Sequence, residues 1–509
     1  MRIVVASSEA VPFAKTGGLA DVATALSTAL AELGHSVWLV LPHYPQAISR
    51  SANGIGIEPT GVHFDVPIGA RRVAGGVLRA RLPGSPVTVM LIDQPGYYDR
   101  PGLYQSAGSD FRDNCERFVF FSRAVLQLTQ ELRLRPDIIH ANDWQTGLIP
   151  ALVAIEGRGP EVSEAVATVF TIHNMAFQGV FWHWDMLLTG LDWKYFNWKQ
   201  MEFYNQLNLL KTGLVFSDAI TTVSPTYASE IQTPEFGYGL DSVLRARRDD
   251  LVGILNGVDT KIWNPQTDAA LPANYSIADL DEGKQACKRA LQAEFGLPQR
   301  AEVPLFAMVT RLTDQKGLDL VAQGTEQLLS RDVQLCVLGS GEAKYEGWLT
   351  DLAKKVPKQV AVRIGFDDPL AHRIEAGADM FLMPSRFEPC GLNQMYSLIC
   401  GTVPIVRAVG GLADSVVDAT PQNLAHGTAT GFCFTEYSAA ALVKTIERAL
   451  DLFSDKLEWM RLVRAGMNQD WSWRQSALQY VRVYERAMAK RRAAAAAPIL
   501  VSEGTMASS

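Results

Sequence analysis

The sequence predicts an α/β protein built from two doubly wound parallel-sheet domains. Short, almost continuously apolar segments alternate with helix-like stretches, which is typical of parallel strands covered on both faces. This alternation occurs in two series, and 509 residues are enough for two large domains. The predicted strands are 2–7, 37–42, 136–140, 167–172 and 219–223 in the first series, and 303–309, 333–339, 360–365, 379–384 and 403–408 in the second.

The domain boundary is predicted near Gly257, where a polar, Pro-containing segment separates the two series. We therefore expect an N-terminal domain over 1–256 and a C-terminal domain over 257–490. The last helical segment of the second domain is a candidate for crossing back to the first. The Ala- and Ser-rich tail at 491–509 is expected to be frayed and without a catalytic role.

Composition favours a globular protein of the cytoplasm. Apolar residues make up 48% of the chain and charged residues 20%, which is ordinary for such proteins. A net charge of −7 argues against nucleic acid or an anionic membrane as the main partner. The six scattered cysteines include no C-x-x-C pair, so neither a disulfide framework nor a zinc site is expected. The polar start is unlike a signal peptide, and no apolar run approaches the roughly 20 residues of a membrane helix.

The loop KTGGLADV (15–22) lies between the first strand and the first helix. Its glycines allow a ligand to approach the backbone, while Lys15 and the helix N-terminus supply positive charge, so a phosphate site is predicted. A tight turn with a solvated lysine is the alternative. GGLAD recurs at 410–414, again between a strand and a helix. We expect both copies to line one cleft from opposite sides, with chance repetition as the alternative.

Further candidates follow strands of the second series. Arg311 and Lys316 in RLTDQKG could bind a diphosphate, although a surface ion pair would look the same. Glu388 precedes Pro, Cys and Gly at the start of a helix, where it could accept hydrogen bonds from sugar hydroxyls or simply favour the helix dipole. Cys390 has no neighbouring His or second Cys in sequence, so we do not assign it as a nucleophile.

The segments HANDWQTG (140–147) and TIHNMAFQG (171–179) place polar side chains after two strands of the first series. They could face a polyhydroxylated ligand, although a single His after a strand is more often structural. No H-E-x-x-H, EF-hand or Walker pattern occurs, so neither a metal nor a cofactor is expected.

Together these motifs resemble the bacterial glycogen synthases and plant starch synthases, a retaining glycosyltransferase family with the GT-B fold. The resemblance covers about residues 1–490, in the expected order. Its motifs are KTGGLADV, YDRPGLY (98–104), HANDWQTG, TIHNMAFQG, TVSPTYASEI (222–231), GILNGVD (253–259), RLTDQKG, SRFEPCGL (385–392) and GTVPIVRAVGGLADSV (401–416).

The resemblance implies transfer of glucose from ADP-glucose to the non-reducing end of an α-1,4-glucan, with ADP released. It implies that Lys15, Arg311 and Lys316 contact the donor's phosphates. It places Glu388 at the glucosyl hydroxyls, His173 beside the sugar and Asp143 near the acceptor. The other residues expected to bind substrate are Gly17, Gly18, Asp21, Tyr98, Asn174, Gln178, Asn256, Cys390, Gly391, Tyr396, Gly410 and Gly411.

Two positions depart from the pattern of related enzymes. Tyr396 occupies the place of a second glutamate found in the broader superfamily, as is usual in glycogen synthases, and is expected on the nucleotide side. Asn142 stands where relatives often have His, with little expected effect. The sequence offers no convincing carboxylate pair for a double displacement, so front-face attack on the donor is favoured.

Three alternatives remain open at this point. Another GT-B transferase would use a different nucleotide sugar or acceptor. A dehydrogenase would need a G-x-G-x-x-G loop, which the first loop lacks. A non-catalytic glucan-binding protein would not need the combination of three cations and a glutamate.

Overall fold

The computed structural model describes residues 1–52, 54–106, 108–157 and 166–496, which form two compact units. Unit 1 comprises Met1–Thr221, Ile231–Val252 and the chain from Ala477. Unit 2 comprises Thr222–Glu230 and Gly253–Ser476. No helix in the described ranges has the length and apolar character needed to cross a membrane.

Unit 1 is built on a mixed sheet that has nine strands among the described residues, in the order β14-β13-β9-β8-β1-β2-β5-β4-β3. Strand β1 runs parallel to β2 and β8, while β4 runs antiparallel to both of its neighbours, β3 and β5. A small sheet, β10-β12-β11, and a two-stranded ribbon, β6-β7, lie outside it. The strands are β1 Arg2–Ala6, β2 Ser36–Pro42, β3 Glu58–Ile68, β4 Arg71–Arg81, β5 Thr88–Asp93, β6 Gln105–Ser106, β7 Ser109–Asp110, β8 Ile138–Asn142, β9 Ala167–Ile172, β10 Val180–Trp182, β11 Glu202–Phe203, β12 Gln206–Asn208, β13 Ala219–Thr222 and β14 Leu251–Gly253.

The parallel strands form because their residues are buried on both faces, as in β8 and β9, where every residue is buried. Helix α1 covers the sheet with an apolar stripe and ends at Glu32, and the nearby Gly34 has a φ of 89°, the left-handed conformation that glycine commonly adopts after a helix. The chain up to Ala246 contains α1 Gly18–Glu32, α2 Pro45–Ser51, α3 Pro95–Tyr98, α4 Asn114–Glu131, α5 Leu148–Ile155, α6 Leu209–Phe216, α7 Pro225–Glu230 (unit 2) and α8 Asp241–Ala246.

Unit 2 has an all-parallel sheet in the order β17-β16-β15-β18-β19-β20. Numbered along the chain, this is the 3-2-1-4-5-6 order of a doubly wound fold, whose ligand crevice lies where the order reverses. In unit 2 that point lies between β15 and β18. Its strands are β15 Leu305–Val309, β16 Gln334–Gly339, β17 Val360–Ile364, β18 Met380–Met383, β19 Val403–Arg407 and β20 Phe432–Phe434.

The remaining helices cover both faces of this sheet or continue beyond it, and one spans the boundary between the units. Helix α18 begins in unit 2, and its residues from Ala477 belong to unit 1. These helices are α9 Leu280–Glu294, α10 Leu318–Leu329, α11 Ala343–Lys355, α12 Asp368–Gly377, α13 Asn393–Ile399, α14 Gly410–Ser415, α15 Pro421–His426, α16 Ala439–Ser454, α17 Lys456–Met467 and α18 Trp473–Ala496.

The structure differs from the sequence-based expectation at the C-terminal end of the chain. The tail was expected to be frayed from Arg491, but α18 continues to Ala496 because its alanines favour helix, and 497–509 lie outside the described residues. The polar segment 257–300 contains the 15-residue helix α9. One side of α9 is buried, and this amphipathic pattern explains its polar composition.

Candidate active site

In unit 1, the loop after β1 is organised by the buried carboxylate of Glu9. Glu9 accepts hydrogen bonds from the Thr16 amide (2.5 Å) and hydroxyl (2.6 Å), the Gly17 amide (3.3 Å) and the Tyr104 hydroxyl (2.7 Å). It therefore fixes the KTGG turn and joins it to the YDRPGLY motif. Sequence reasoning missed Glu9, although a single acidic residue among the apolar positions after a buried strand was a usable signal.

Lys15 lies on the exposed side of this loop. Its Nζ is 2.8 Å from Asp21 Oδ1, and both side chains are partly exposed. Gly17 and Gly18 are also exposed, and a Cβ at Gly17 would meet no atom within 4 Å. The loop thus presents an open backbone beside a cation whose present partner an anionic ligand could replace.

Asp143 sits directly after β8 in an unusual backbone conformation. Its φ is 56°, which costs a non-glycine residue about 1–3 kcal/mol. Oδ1 accepts the His173 amide at 2.7 Å. Burial raises the pKa of Asp143 to about 7, with the charge of Glu9 adding to the effect and the His173 amide opposing it. Asp143 can therefore change protonation near neutral pH.

His173 is oriented by Asn142. Because Asn142 Nδ2 donates to the Ala6 carbonyl, its Oδ1 faces His173 Nε2 at 2.9 Å, and the imidazole is the Nε2–H tautomer. Burial lowers the pKa of His173 to about 3, so the ring is neutral. Asn142 thus acts as an orienting group, a role that the sequence did not indicate.

Three other unit 1 candidates make hydrogen bonds with other groups of the protein. Gln178 donates to the Tyr238 carbonyl and accepts from Asn208, and Asn174 Oδ1 accepts the amide of Ala176. Tyr98 was expected at a substrate position, but its side chain is fully buried and its hydroxyl donates to the Arg117 carbonyl at 3.0 Å. It supports the YDRPGLY motif from inside, whereas Tyr104 of the same motif reaches Glu9.

In unit 2, Lys316 and Glu388 meet at the point where the strand order reverses. Lys316 follows β15 and Glu388 follows β18, and Nζ lies 2.6 Å from Oε2. The Ser385 hydroxyl donates to the same oxygen at 3.0 Å. Both charged side chains are mostly buried, so each depends on the other for compensation. Arg311, on the same loop as Lys316, is exposed, and its guanidinium lies 3.5 Å from Gln315 Oε1.

The second GGLAD copy packs beneath the Glu388 loop. Gly410 and Gly411 are buried, and a Cβ on either would stand 2.0 or 2.1 Å from the carbonyl oxygens of Glu388 and Cys390. The Gly411 amide donates to the Glu388 carbonyl at 3.2 Å. The two copies therefore serve different purposes, because the first is open and the second supports a loop.

Residues beside Glu388 also have defined surroundings. Gly391 has a φ of 70°, a conformation that side chains disfavour. Burial raises the pKa of the Cys390 thiol to about 12, which keeps it protonated and agrees with its not being a nucleophile. Asn256 is buried nearby, and its Oδ1 has no hydrogen-bond partner among the described residues. A ligand hydroxyl could satisfy this oxygen.

Tyr396 belongs to a stack of three aromatic rings. Trp263 lies between Tyr396 and His372, with ring centroids 3.8 Å apart on each side. Asp268 anchors the stack through His372 Nδ1 at 2.6 Å. Trp263, His372 and Asp268 were missed because His372 lies 104 positions from Asp268 in sequence and none of the three belongs to a phosphate or sugar motif.

Comparison with known proteins places the chain in a family. Residues 2–246 match the family model described as starch synthase catalytic domain, and 292–459 match glycosyl transferases group 1. Glycogen synthase of Rhodopirellula baltica is 48% identical over 97% of this chain and 99% of its own. The chain belongs to the glycogen synthase family. A glycogen synthase of Anaeromyxobacter dehalogenans is 51% identical over 95% of this chain and 98% of its own.

Solved structures agree with membership of the glycogen synthase family. The catalytic domain of starch synthase IV from Arabidopsis thaliana, bound to ADP and acarbose, has a TM-score of 0.87 and 33% identity, and the match covers 96% of this chain and 99% of that one. The fold is GT-B, with one doubly wound domain in each unit. The family and the fold expected from the motifs are thereby confirmed.

Proposed function

We propose that this chain transfers glucose from ADP-glucose to the non-reducing end of an α-1,4-glucan, with retention of configuration and release of ADP. Membership of the glycogen synthase family supports the reaction class. The observation that carries the proposal within the structure is the Lys316–Glu388 pair, 2.6 Å apart where the strand order of unit 2 reverses.

The pair suits a glucosyl donor because its two members serve different parts of the ligand. Lys316 provides a point charge for the diphosphate, and Arg311 on the same loop adds paired N–H donors. Glu388 can accept sugar hydroxyls, and the unpartnered Asn256 oxygen can accept another. As charge develops on the departing ADP, these fixed cations stabilise it without reorganisation.

Retention is proposed to follow front-face attack, in which the acceptor hydroxyl enters on the side from which ADP leaves. The new C–O bond forms as the bond to the diphosphate breaks, and a diphosphate oxygen takes the hydroxyl proton. Glu388 is already engaged by Lys316 and Ser385, which fits a binding role better than a nucleophilic one. In unit 1, Lys15 is proposed to contact donor phosphate, with His173 beside the sugar and Asp143 near the acceptor.

ADP-glucose and glycogen are the proposed partners, and the reaction as written requires no cofactor. The cytoplasm is the proposed compartment, which suits the six free cysteines in the described part of the chain. Measuring ADP release from ADP-glucose, with and without glycogen, tests the reaction. We expect release that depends on glycogen and is much slower with UDP-glucose. No release with either donor would overturn the proposal, while a preference for UDP-glucose would indicate another GT-B transferase.

A further inference from the structure

A row of aromatic rings lies on the surface of unit 1, at the end of β10 and in the segment that follows it. We call it the aromatic ladder: Trp182, His183, Trp184, Trp193 and Phe196. Ring centroids are 6.4 Å apart from Trp182 to Trp184, 5.3 Å from Trp184 to Trp193 and 4.9 Å from Trp193 to Phe196. The three tryptophans are 61%, 49% and 41% exposed. Contiguous exposed apolar surfaces of this kind commonly mark binding sites.

Buried side chains and hydrogen bonds fix the backbone that carries the aromatic ladder. Trp184 belongs to a 3-10 helix, His183–Thr189, that is anchored by the fully buried Met186. Arg123 Nε donates to the Thr189 carbonyl at 2.9 Å, which fixes the end of this helix. The Asp192 carboxylate accepts the Lys194 amide at 2.8 Å and caps the turn that carries Trp193. The tryptophans are therefore exposed at fixed positions, where little conformational entropy remains to be lost on binding.

The ladder is continuous with two segments that carry candidate site residues of unit 1. Phe181, next to Trp182 in β10, packs on Trp144 of the HANDW motif at 5.6 Å. Strand β10 directly follows the segment that carries Gln178, and β12 pairs with it while Asn208 donates to Gln178. The row of rings thus begins beside the HANDW motif, whose Asp143 is the residue proposed to lie near the acceptor.

The chemistry of the ladder fits a sugar polymer. A pyranose has apolar C–H faces and hydroxyls around its edge, while an indole offers an apolar face and one N–H donor. Flanking charges of both signs, Lys194 and Asp192, give the surface no strong preference for an ion. Successive rings 5–6 Å apart can each meet a successive sugar of one chain.

We propose that the aromatic ladder binds an α-1,4-glucan chain beyond the acceptor residues. The inference rests on the proposed function, since the polymer is the acceptor named there. A chain held on the ladder has its effective concentration raised near the active site, so long glucans bind more tightly than short ones. A short oligosaccharide such as maltotriose gains less.

The test compares Trp184→Ala and Trp193→Ala with the wild type on two acceptors, glycogen and maltotriose. We expect the KM for glycogen to rise about 3- to 10-fold, as for loss of an aromatic contact. The KM for ADP-glucose and kcat with maltotriose should stay within about 2-fold. Trp184→Phe keeps a ring and should restore most of the affinity. Leu457→Ala, which removes a 65% exposed apolar side chain from unit 2, is the control.

Retardation on native gels containing glycogen measures binding without catalysis, so it remains informative if the wild type releases no ADP. Unchanged glycogen KM and unchanged retardation in both alanine variants would overturn the inference. Sedimentation analysis distinguishes a second copy of the chain as the occupant. If the variants dissociate an oligomer while glycogen retardation stays unchanged, the ladder is a subunit interface and the proposal fails.

Discussion

At the scale of single residues, the proposed donor site depends on the Lys316–Glu388 pair, and this pair could not have been predicted from sequence spacing alone. The two residues are 72 positions apart, and they come together because β15 and β18 are adjacent parallel strands. Both motifs could be recognised separately as ligand loops. Their mutual 2.6 Å contact depends on side-chain packing that neither motif encodes.

Substitution Lys316→Ala should lower kcat/KM for ADP-glucose by about 30- to 1000-fold, the usual loss on removing a group that stabilises transition-state charge. Lys354→Ala, on the exposed surface of α11, is the matched control and should behave like the wild type. ADP release measured over a range of donor concentrations checks the prediction. Near-normal turnover in a folded Lys316→Ala variant would remove Lys316 from the mechanism.

The raised pKa of Asp143 leads us to expect that the free energy of unfolding depends on pH. Its pKa in the folded protein is raised to about 7, whereas an unfolded Asp has a pKa of about 3.9. Between these values the folded state binds more protons, so the contribution of Asp143 to stability is full below pH 4 and is lost as the pH rises through 7. The loss is at most on the order of 4 kcal/mol.

Asp143→Asn removes this titration while keeping an acceptor for the His173 amide. The Tm of Asp143→Asn relative to the wild type should therefore increase between pH 4 and 7.5. The nearby imidazoles of His140 and His173 titrate in both proteins, so their contributions largely cancel in the difference. A Tm difference that does not vary with pH would contradict the raised pKa.

At the scale of elements, the parallel strands were predictable because their burial on both faces leaves a continuous apolar signal. The hairpin β3–β4 was missed, since its residues alternate between buried and exposed and mark a half-exposed sheet edge. The repeated GGLAD shows that the same short motif can have different surroundings in the fold. Its two copies begin helices α1 and α14, but a Cβ at Gly17 would meet no atom within 4 Å, whereas a Cβ at Gly410 or Gly411 would overlap the Glu388 loop.

Gly410→Ala tests the packing of α14 against the Glu388 loop. Gly410 has a φ of 44°, and a Cβ there would stand 2.0 Å from the Glu388 carbonyl oxygen. Gly427→Ala is the matched control, because Gly427 has a φ of 66° but no atom within 4 Å. Both variants incur backbone strain of about 1–3 kcal/mol, and only Gly410→Ala should also displace Glu388 and lose most activity. Equal Tm and equal activity in the two variants would show that the Glu388 loop can move away from the added Cβ without loss of stability or activity.

At the scale of the whole molecule, the order of the chain does not follow the order of its units. The segment Thr222–Glu230 belongs to unit 2, and the chain from Ala477 belongs to unit 1. A boundary near Gly257 follows from the composition, because the two strand series separate there. The assignment of α18 depends on which surface its apolar side covers, and periodicity alone does not identify that surface.

Substitutions of Tyr484 test how much the packing of α18 contributes to the stability of unit 1. Its ring is fully buried, and its hydroxyl lies 2.8 Å from His140 Nδ1 at the centre of the sheet. Tyr484→Ala should destabilise unit 1 by about 3–5 kcal/mol, since it leaves a large cavity beside β8. Tyr484→Phe keeps the ring and should cost only about 1–3 kcal/mol for the unpaired imidazole nitrogen. Calorimetric unfolding checks both values, and equal losses in the two variants would mean that the hydrogen bond, and not the packing of the helix, holds α18 in place.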